Sequence, residues 1–462
     1  MQNERDPVGR VRLRDVLRLD VSKVHGAIAA RDREASPAAR VLLRLFDEPR
    51  RRYKTRVLYC PPLPLLWSFG PGDGSAASTL HRVWARAVWR ERGFGGRALL
   101  LAAFAVWPFF VAGTSFWLLA VNGAAIRRRT GKGRLRQAAE HWALAARHGI
   151  LPPWYYIYDL FDDANRARAG EYLRRDETKG GLFRLLKQPS AGRRLFDKRR
   201  FAIRCHKFGV ATPPSLVCRK GRIQSLGDAP PCLPRRDLFV KPTRGQGGGG
   251  TQIWRFEGAG WARGDDSPLG EADLLELFRQ TSRSRAFLVQ PRFVNHPDLA
   301  DLSFGVLSTV RLMTCRDEAG DYEATHAVYR MPKTPEARVD NIHAGGIATR
   351  IDLATGELGL ASDMGLRPDT DWWSHHPHSG VPIRGRKLPH WPETLALGLR
   401  AHAAFPKWAA IGWDIAILAD GPVVIEGNSA PDVDLVQRPC REPLGSSRFG
   451  ELMAYHLLQT ER

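Results

Sequence analysis

A segment near the C-terminus reads IGWDIAILADGPVVIEGN over residues 411–428. Two arms rich in Val, Ile and Leu flank an Asp-Gly pair, and this pattern predicts a β-hairpin. A three-residue turn over 419–421 places Asp414 directly opposite Glu426. Because side chains alternate along a strand, we expect Asn428 on the same face.

The two faces of this predicted hairpin differ in character. The opposite face is apolar, suits a core, and carries Ile415, Ile417, Val423 and Ile425. Two carboxylates directly opposed in a ladder repel each other. A bound divalent cation removes that penalty, and carboxylate and amide oxygens are the ligands that Mg²⁺ prefers. The hairpin therefore predicts a metal site at Asp414, Glu426 and Asn428, the alternative being a register shifted by one residue with Asp414 in solvent.

The composition is globular and strongly basic. With 462 residues, of which 43% are hydrophobic and 26% charged, the chain is long enough for two or three domains with substantial cores. A net charge of +22 indicates an anionic partner: a membrane surface, nucleic acid, or a phosphorylated or acidic substrate. The six cysteines form no C-x-x-C pair, which argues against a disulfide framework or a structural zinc site.

Changes in composition and in the pattern of helices and strands predict four parts of the chain. Residues 1–97 are Arg-rich and mainly helical, and residues 98–126 form a hydrophobic, membrane-associated segment. A helical linker follows over 127–194. In residues 195–462 short strands alternate with helices and Gly/Pro turns, which predicts an α+β catalytic domain.

The segment 98–126 is a run of 29 positions without a charge, longer than the roughly 20 residues that span a bilayer. Pro108 is expected to break it near the middle. Basic residues flank both ends, so the positive-inside rule selects no orientation, and they would bind anionic lipids. A single span, a re-entrant hairpin and a helix pair buried in protein remain open, and we expect the chain on the cytoplasmic side of the membrane.

A glycine-rich loop follows an apolar strand that ends at Lys241. Its glycines are Gly245, Gly247, Gly248, Gly249 and Gly250. Glycines let backbone N–H groups approach phosphate oxygens closely, and Lys241 adds a positive charge at the base of the loop. No G-K-[ST] opens a helix, so this is not a Walker A loop. The pattern predicts a hairpin whose tip covers phosphates, and a floppy surface loop is the alternative.

Two polar residues lie inside otherwise apolar strands. Arg311 lies within the strand-like run 304–315, and a charge in such a strand needs a partner. That partner is either a phosphate or substrate carboxylate, or a neighbouring Asp or Glu. Gln290 lies near the polar end of the run 285–293.

Taken in this order, residues from about 197 to 437 resemble the ATP-grasp superfamily. More narrowly, they resemble the sugar-transfer associated ATP-grasp group, which is related to the α-L-glutamate ligases. Lys198, followed by the G-x-x-T-P stretch 209–213, matches the first nucleotide-contacting Lys of the family. Lys241 and its glycine loop match the second Lys and the phosphate lid.

Further positions carry the same resemblance. Gln290 falls where the family has its adenine hinge, although Pro291 stands where an acidic residue is common. The stretch 341–346 resembles the N-x-H-x-G-G motif of the group. The metal-ligand positions of the family match Asp414, Glu426 and Asn428.

The resemblance implies an α+β ATP-grasp fold, in which two α+β subdomains grip ATP, after a basic helical region with its hydrophobic segment. It implies an ATP-dependent carboxylate–amine ligase that uses Mg²⁺, with two ions expected, and forms an amide through an acyl phosphate. Arg311 is the catalytic candidate, acting on the transferring phosphoryl group. The expected substrates are small or glycan-linked acids and amines, as in a cell-surface polysaccharide or its precursor, and no nucleic acid. A phosphotransferase, or a membrane-anchored nucleotide-binding protein without ligase activity, is the alternative.

Overall fold

The structure is a computed structural model. It describes residues 72–90, 93–186, 195, 197–225, 231–243, 250–337 and 339–460. All of them belong to one compact unit. Most of the predicted N-terminal region 1–97, and four of the five lid glycines, lie outside the described residues.

The first part of the described chain is helical. Its helices are α1 (Ala76–Arg90), α2 (Phe94–Thr130), α3 (Arg134–His148), α4 (Pro152–Ile157), α5 (Asp163–Ala167), α6 (Arg175–Glu177) and α7 (Phe183–Leu185). Helix α2 ends at Gly131, whose φ of 73° is left-handed and whose N–H donates to the carbonyl of Arg127. Glycine takes this cap conformation without a Cβ clash, so the chain can turn into α3.

Pro108 lies in the interior of α2, and the apolar run forms one continuous helix. A proline there removes one backbone hydrogen bond and costs about 3 kcal/mol. The other backbone bonds of a 37-residue helix hold the chain helical on both sides of it. The expectation that Pro108 breaks the run is therefore wrong, and so are the re-entrant hairpin and the buried helix pair. The stretch Leu100–Thr130 is long and apolar enough to cross a membrane.

The mixed part of the chain begins at α8 (Lys198–Lys207) and contains a first antiparallel sheet with the strand order β2-β1-β6-β3-β4-β5. Its strands are β1 (Leu216–Arg219), β2 (Arg222–Ser225), β3 (Leu238–Pro242), β4 (Gln252–Glu257), β5 (Gly260–Ala262) and β6 (Phe287–Pro291). Helix α9 (Glu271–Thr281) covers one face, where Leu274 and Phe278 pack against Val240, Trp254 and Phe287.

A second antiparallel sheet follows α10 (Ala300–Ser303) and has the order β10-β9-β8-β7-β11-β12. Its strands are β7 (Thr309–Arg316), β8 (Tyr322–Met331), β9 (Ile347–Ile351), β10 (Leu358–Ser362), β11 (Ala410–Leu418) and β12 (Gly421–Asn428). Helix α11 (Trp391–Ala403) packs on its apolar face, where Leu397 and Ala401 meet Leu312, Ile415 and Val424. The predicted α+β architecture, preceded by an apolar helix, is confirmed.

In the hairpin β11–β12, Asp414 lies directly opposite Glu426, and this predicted pairing is confirmed. Beyond this pair the register shifts, so that Ile415 faces Val424 and Leu418 faces Gly421. The turn therefore has two residues and the three-residue turn is wrong. The residue left over in β12 is Ile425, which forms a bulge.

The bulge changes which side chains of β12 reach the core. Val424 is buried and packs beside Ile415 and Ile417, whereas Val423 and Ile425 are only half-buried. The expectation that the last two lie in the core is wrong, because one extra residue exchanges the faces of the strand between the bulge and the turn.

The chain ends in α12 (Asp434–Cys440) and α13 (Arg448–Thr460), and α13 packs against α1. Helix α12 joins the helical part to the second sheet. The side chain of Arg438 is buried and donates to the carbonyls of Tyr156 and Ile157. Gln437 accepts from the N–H of Leu173 at 2.9 Å. Five short segments complete the described elements: Ala169–Glu171, Thr178–Leu182, Pro297–Leu299, Ile342–Ala344 and Leu444–Ser446.

Candidate active site

Neighbouring strands of the second sheet carry a cluster of charged side chains. Asp414 on β11 pairs with Arg311 of β7 on one side and with Glu426 of β12 on the other. Arg330 lies on β8, the next strand along. Because side chains alternate along a strand, these residues lie opposite the apolar face that packs on α11.

Asp414 is buried between two arginines. The Nε of Arg311 donates to its Oδ1 at 2.6 Å, and the Nη2 of Arg330 lies 3.1 Å from its Oδ2. Burial alone would raise the pKa of Asp414, but the two guanidinium groups outweigh it and hold that pKa below its ordinary value. The partner of Arg311 in this structure is therefore a neighbouring carboxylate, one of the two alternatives open from the sequence.

Arg330 belongs to this cluster and was not predicted. It also lies 3.4 Å from Asp340, and its Nε donates to the hydroxyl of Thr309 at 3.1 Å. Thr309 in turn donates to Asp340 at 2.6 Å. Arg330 is a charged residue inside the largely apolar strand β8, just as Arg311 is in β7. The same sequence signal therefore indicates Arg330 as a site residue.

Glu426 and Asn428 lie on the exposed side of this cluster. Both are half-buried, and the Nδ2 of Asn428 lies 3.4 Å from Glu426 Oε1. Burial, and then the nearby carboxylate of Asp414, raise the pKa of Glu426. Any cation that binds beside this carboxylate reverses both effects, because it favours the ionised form.

Lys241 is the site residue that the first sheet contributes. Its side chain on β3 is only 9% exposed. Burial, and then the positive charge of Lys198, lower its pKa to about 8, and Glu426 acts in the opposite sense. The ammonium group therefore lies within the electrostatic reach of both residues. Lys198, in the first turn of α8, donates to the carbonyl of Pro242 at 3.4 Å.

The family to which the chain belongs follows from a comparison with protein-family models. The model described as sugar-transfer associated ATP-grasp matches residues 180–447. The chain belongs to this family. The expected family is confirmed, and the matched part contains both sheets and every predicted site residue.

Solved structures that are similar to the chain include several ligases. D-alanine–D-alanine ligase from Bacillus anthracis is 13% identical with a TM-score of 0.33, and the match covers 61% of this chain and 75% of that one. The ATP-grasp ligase PsnB, complexed with a minimal precursor, Mg and ADP, is 14% identical with a TM-score of 0.32 and coverages of 60% and 62%. VanG D-Ala:D-Ser ligase from Enterococcus faecalis is 10% identical with a TM-score of 0.34 and coverages of 62% and 70%. No curated protein matches the chain.

Gln290 of this ATP-grasp chain is buried on β6, opposite Phe239 of β3. Its Nε2 donates to the hydroxyl of Ser215 at 2.6 Å, so one amide hydrogen is already engaged within the protein. Gly250, the described end of the glycine loop, has a φ of 76°, which favours glycine. The lid role of Gly245, Gly247, Gly248 and Gly249 stays a prediction, since these four lie outside the described residues.

The predicted metal ligands suit a hard cation in their chemistry. All three supply oxygen: the carboxylates of Asp414 and Glu426 and the amide of Asn428. Each oxygen of Asp414 already has one arginine partner, but a carboxylate has about four lone-pair positions and can accept more. In the described part of the chain no cluster of three His, Cys, Asp or Glu side chains could hold a metal by itself. The predicted set therefore includes the amide oxygen of Asn428.

Proposed function

We propose that this protein is an ATP- and Mg²⁺-dependent carboxylate–amine ligase that acts at the cytoplasmic face of a membrane. By its family the chain is a sugar-transfer associated ATP-grasp protein. The observation that carries the proposal is the position of Asp414 directly opposite Glu426 in the β11–β12 ladder, with the Nε of Arg311 2.6 Å from Asp414. Carboxylates beside a cation are groups that a site for a metal-bound nucleotide requires.

The lysines are the proposed phosphate ligands. Lys241 is buried, so an anion beside its ammonium interacts more strongly than it would in water. A phosphate group beside the ammonium would favour its charged form and so raise its pKa above the value of about 8. Lys198 supplies a second positive charge, and the two lysines repel each other until an anion is bound.

The proposed metal ligands are Asp414, Glu426 and Asn428. Mg²⁺ bound there would neutralise charge on the attacking and leaving oxygens of the transferred phosphoryl group. We propose two ions, which Asp414, Glu426 and Asn428 would hold. Arg311 and Arg330 keep Asp414 ionised and fixed in position. The guanidinium of Arg311 is proposed to bind the transferring phosphoryl group as well, which would make it the catalytic cation.

The proposed reaction couples an acid and an amine. The substrate carboxylate attacks the γ-phosphorus of ATP and displaces ADP, and the amine then attacks the acyl carbon and displaces phosphate. The substrate supplies both attacking atoms, so the protein needs no nucleophilic side chain. The association of the family with sugar transfer supports a glycan-linked or lipid-linked acid or amine, as in a surface polysaccharide or its precursor.

Membrane association rests on α2. One side of the helix packs within the protein, where Trp107 lies edge-on to Trp142 at 6.0 Å. Large apolar side chains on the rest of its surface are exposed: Phe94, Leu101, Val106, Phe109 and Phe116. Three arginines, 127–129, follow in its last turn and are suited to anionic lipid head groups.

The test is turnover of the full chain with ATP, Mg²⁺ and a panel of acids and amines, scored for ADP, phosphate and the coupled product. A ligase releases ADP and phosphate together and only when both substrates are present. A phosphotransferase would release ADP and a phosphorylated product without free phosphate. Absence of nucleotide binding would overturn both.

A further inference from the structure

Three basic side chains converge on one oxygen of Asp432. The Nζ of Lys179 lies 2.7 Å from its Oδ2, the Nε2 of His343 lies at 3.2 Å and the Nε of Arg175 at 3.3 Å. The other oxygen accepts from the backbone N–H of Asp434 at 3.2 Å. We call Arg175, Lys179 and His343 the basic triad.

The basic triad borders the candidate active site. Asp432 lies four residues beyond the proposed metal ligand Asn428. Between them, Pro431 lies beside Gly412, as does the proposed catalytic cation: a Cβ added at Gly412 would lie 2.7 Å from Pro431 Cβ and 3.2 Å from Arg311 Cδ.

A second connection runs through the loop that carries His343. This loop begins at Asp340, which pairs with Arg330 of the active site. Gly346 closes it where no side chain fits, because an added Cβ would lie 2.8 Å from the carbonyl oxygen of Asp340. The loop is thus fixed at both ends, and it holds His343 beside the site.

The charged groups of this cluster differ in their access to solvent. Burial would raise the pKa of Asp432, but the bond from His343 and the charges of Arg175 and Lys179 hold it well below its ordinary value. The nearby carboxylate of Asp434 also interacts with Arg175 and His343, so two carboxylates share two permanent cations and an imidazole. The carboxylate of Asp432 is only 9% exposed, whereas the triad side chains are 30 to 33% exposed, so solutes reach the cations and not the anion.

Two members of the triad come from outside the part of the chain that the family model matches. Arg175 belongs to α6, and Lys179 to the following turn, Thr178–Leu182, whereas the match begins at residue 180. The helical part of the chain thus supplies cations to the edge of the catalytic site. Such a contribution suits recognition of a substrate, because the phosphate and metal ligands are all supplied by the matched part.

We propose that the basic triad forms a binding subsite for an oxyanion of the acid or amine substrate, either a carboxylate or a phosphate monoester. Asp432 orients the three cations, and the oxyanion receives charge-assisted hydrogen bonds from Lys179 and Arg175. The role in ligation rests on the proposed function, whereas anion binding at this place does not.

The test is calorimetric titration of the full chain, at constant ionic strength, with inorganic phosphate and separately with acetate. Each titration is made with and without saturating Mg²⁺-ADP, which occupies the nucleotide phosphate positions. Preference for phosphate or for acetate then distinguishes the two sources of oxyanion. Binding of ADP itself reports on the proposed nucleotide site, so that failure of the ligase proposal and failure of the subsite are seen separately.

We expect Lys179→Gln to weaken binding of the preferred anion about tenfold or more, since a charge-assisted hydrogen bond is lost. Lys179→Arg should retain it. The matched control is Arg386→Gln, which also removes a partly exposed cation paired with a carboxylate, Asp301, but elsewhere in the fold. Equal binding by Lys179→Gln and wild type, or no binding of either anion, would overturn the proposal. If Lys179→Gln does not fold, Arg175→Gln decides by the same criterion.

Discussion

Asp414 lies directly opposite Glu426 in the β11–β12 ladder, while Arg311 closes on Asp414 from the neighbouring strand with an Nε–Oδ1 distance of 2.6 Å. The two carboxylates are therefore unequal. Asp414 is compensated by cations and its pKa is lowered, whereas the pKa of Glu426 is raised by burial and by Asp414. The protein's own cations therefore compensate the charge of Asp414, whereas the carboxylate of Glu426 is left for a ligand.

Glu426→Ala is expected to abolish ATP turnover while the fold stays intact. The substitution removes a proposed metal ligand, and it also relieves repulsion with Asp414, so the thermal midpoint should not fall by more than a few degrees. ADP release and thermal unfolding are measured together. Glu318→Ala, at an exposed carboxylate paired with Arg448, is the control and should keep wild-type turnover. Wild-type ADP release by Glu426→Ala would contradict the assignment.

Arg330→Met is expected to destabilise the fold strongly. It leaves Asp340 without its guanidinium partner and Asp414 with Arg311 alone, and breaking a buried ion pair costs about 3–5 kcal/mol. Denaturant unfolding measures the loss. Adding Asp414→Asn to Arg330→Met should recover part of it.

The matched control for this variant is Arg386→Met, which breaks the more exposed pair with Asp301. A pair of that kind contributes only about 0–1 kcal/mol. Equal losses for Arg330→Met and Arg386→Met would show that Arg330 does not compensate buried charge.

The sequence was sufficient to predict the acidic pair and the α+β fold, because alternation along β11 and β12 fixes which residues share a face. It was insufficient for the turn. An Asp-Gly pair fits loops of two or three residues, and the bulge at Ile425 offsets the difference, so the register at Asp414 is the same in both.

Other features of the structure depend on tertiary packing, which local sequence patterns do not predict. The role of Arg330 depends on its ion pairs with Asp340 and Asp414, and Asp414 lies far from Arg330 along the chain. Lys179 meets Asp432 only because α12 packs against the helical part. In α2, the local preference of Pro108 to end a helix is overridden by the long apolar helix around it.

Lys241→Met is expected to weaken Mg²⁺-ADP binding about tenfold or more near pH 7, because a buried charge-assisted contact is lost. In wild type the affinity should fall as the pH rises past about 8, where the free protein loses the ammonium proton. The variant should lack this step. Lys207→Met, at an exposed lysine in α8, is the control. Calorimetric titrations from about pH 6.5 to 9.5 measure both effects. An unchanged affinity in Lys241→Met would show that Lys241 does not bind the nucleotide.

The same lysine makes stability depend on pH with a definite sign. Its pKa is about 8 in the folded chain against an ordinary value of 10.5, so between these values the unfolded chain binds more protons. The contribution of Lys241 to the free energy of unfolding therefore rises with pH across that window. Lys241→Met should remove this rise. A pH profile of unfolding that is identical in the two proteins would show that burial does not shift this group.

The exposed face of α2 is expected to bind lipid. Phe109 and Phe116 are each 78% exposed, so Phe109→Asp/Phe116→Asp leaves the packing of Trp107 untouched. Each lost phenyl group removes about 1.5–3 kcal/mol of apolar burial, and partition to phosphatidylcholine–phosphatidylglycerol vesicles should fall tenfold or more. Val294→Asp, at a 64% exposed apolar residue of the catalytic part, is the control and should sediment with vesicles like wild type. Equal sedimentation of the double variant and wild type would show that this face of α2 does not contact the bilayer.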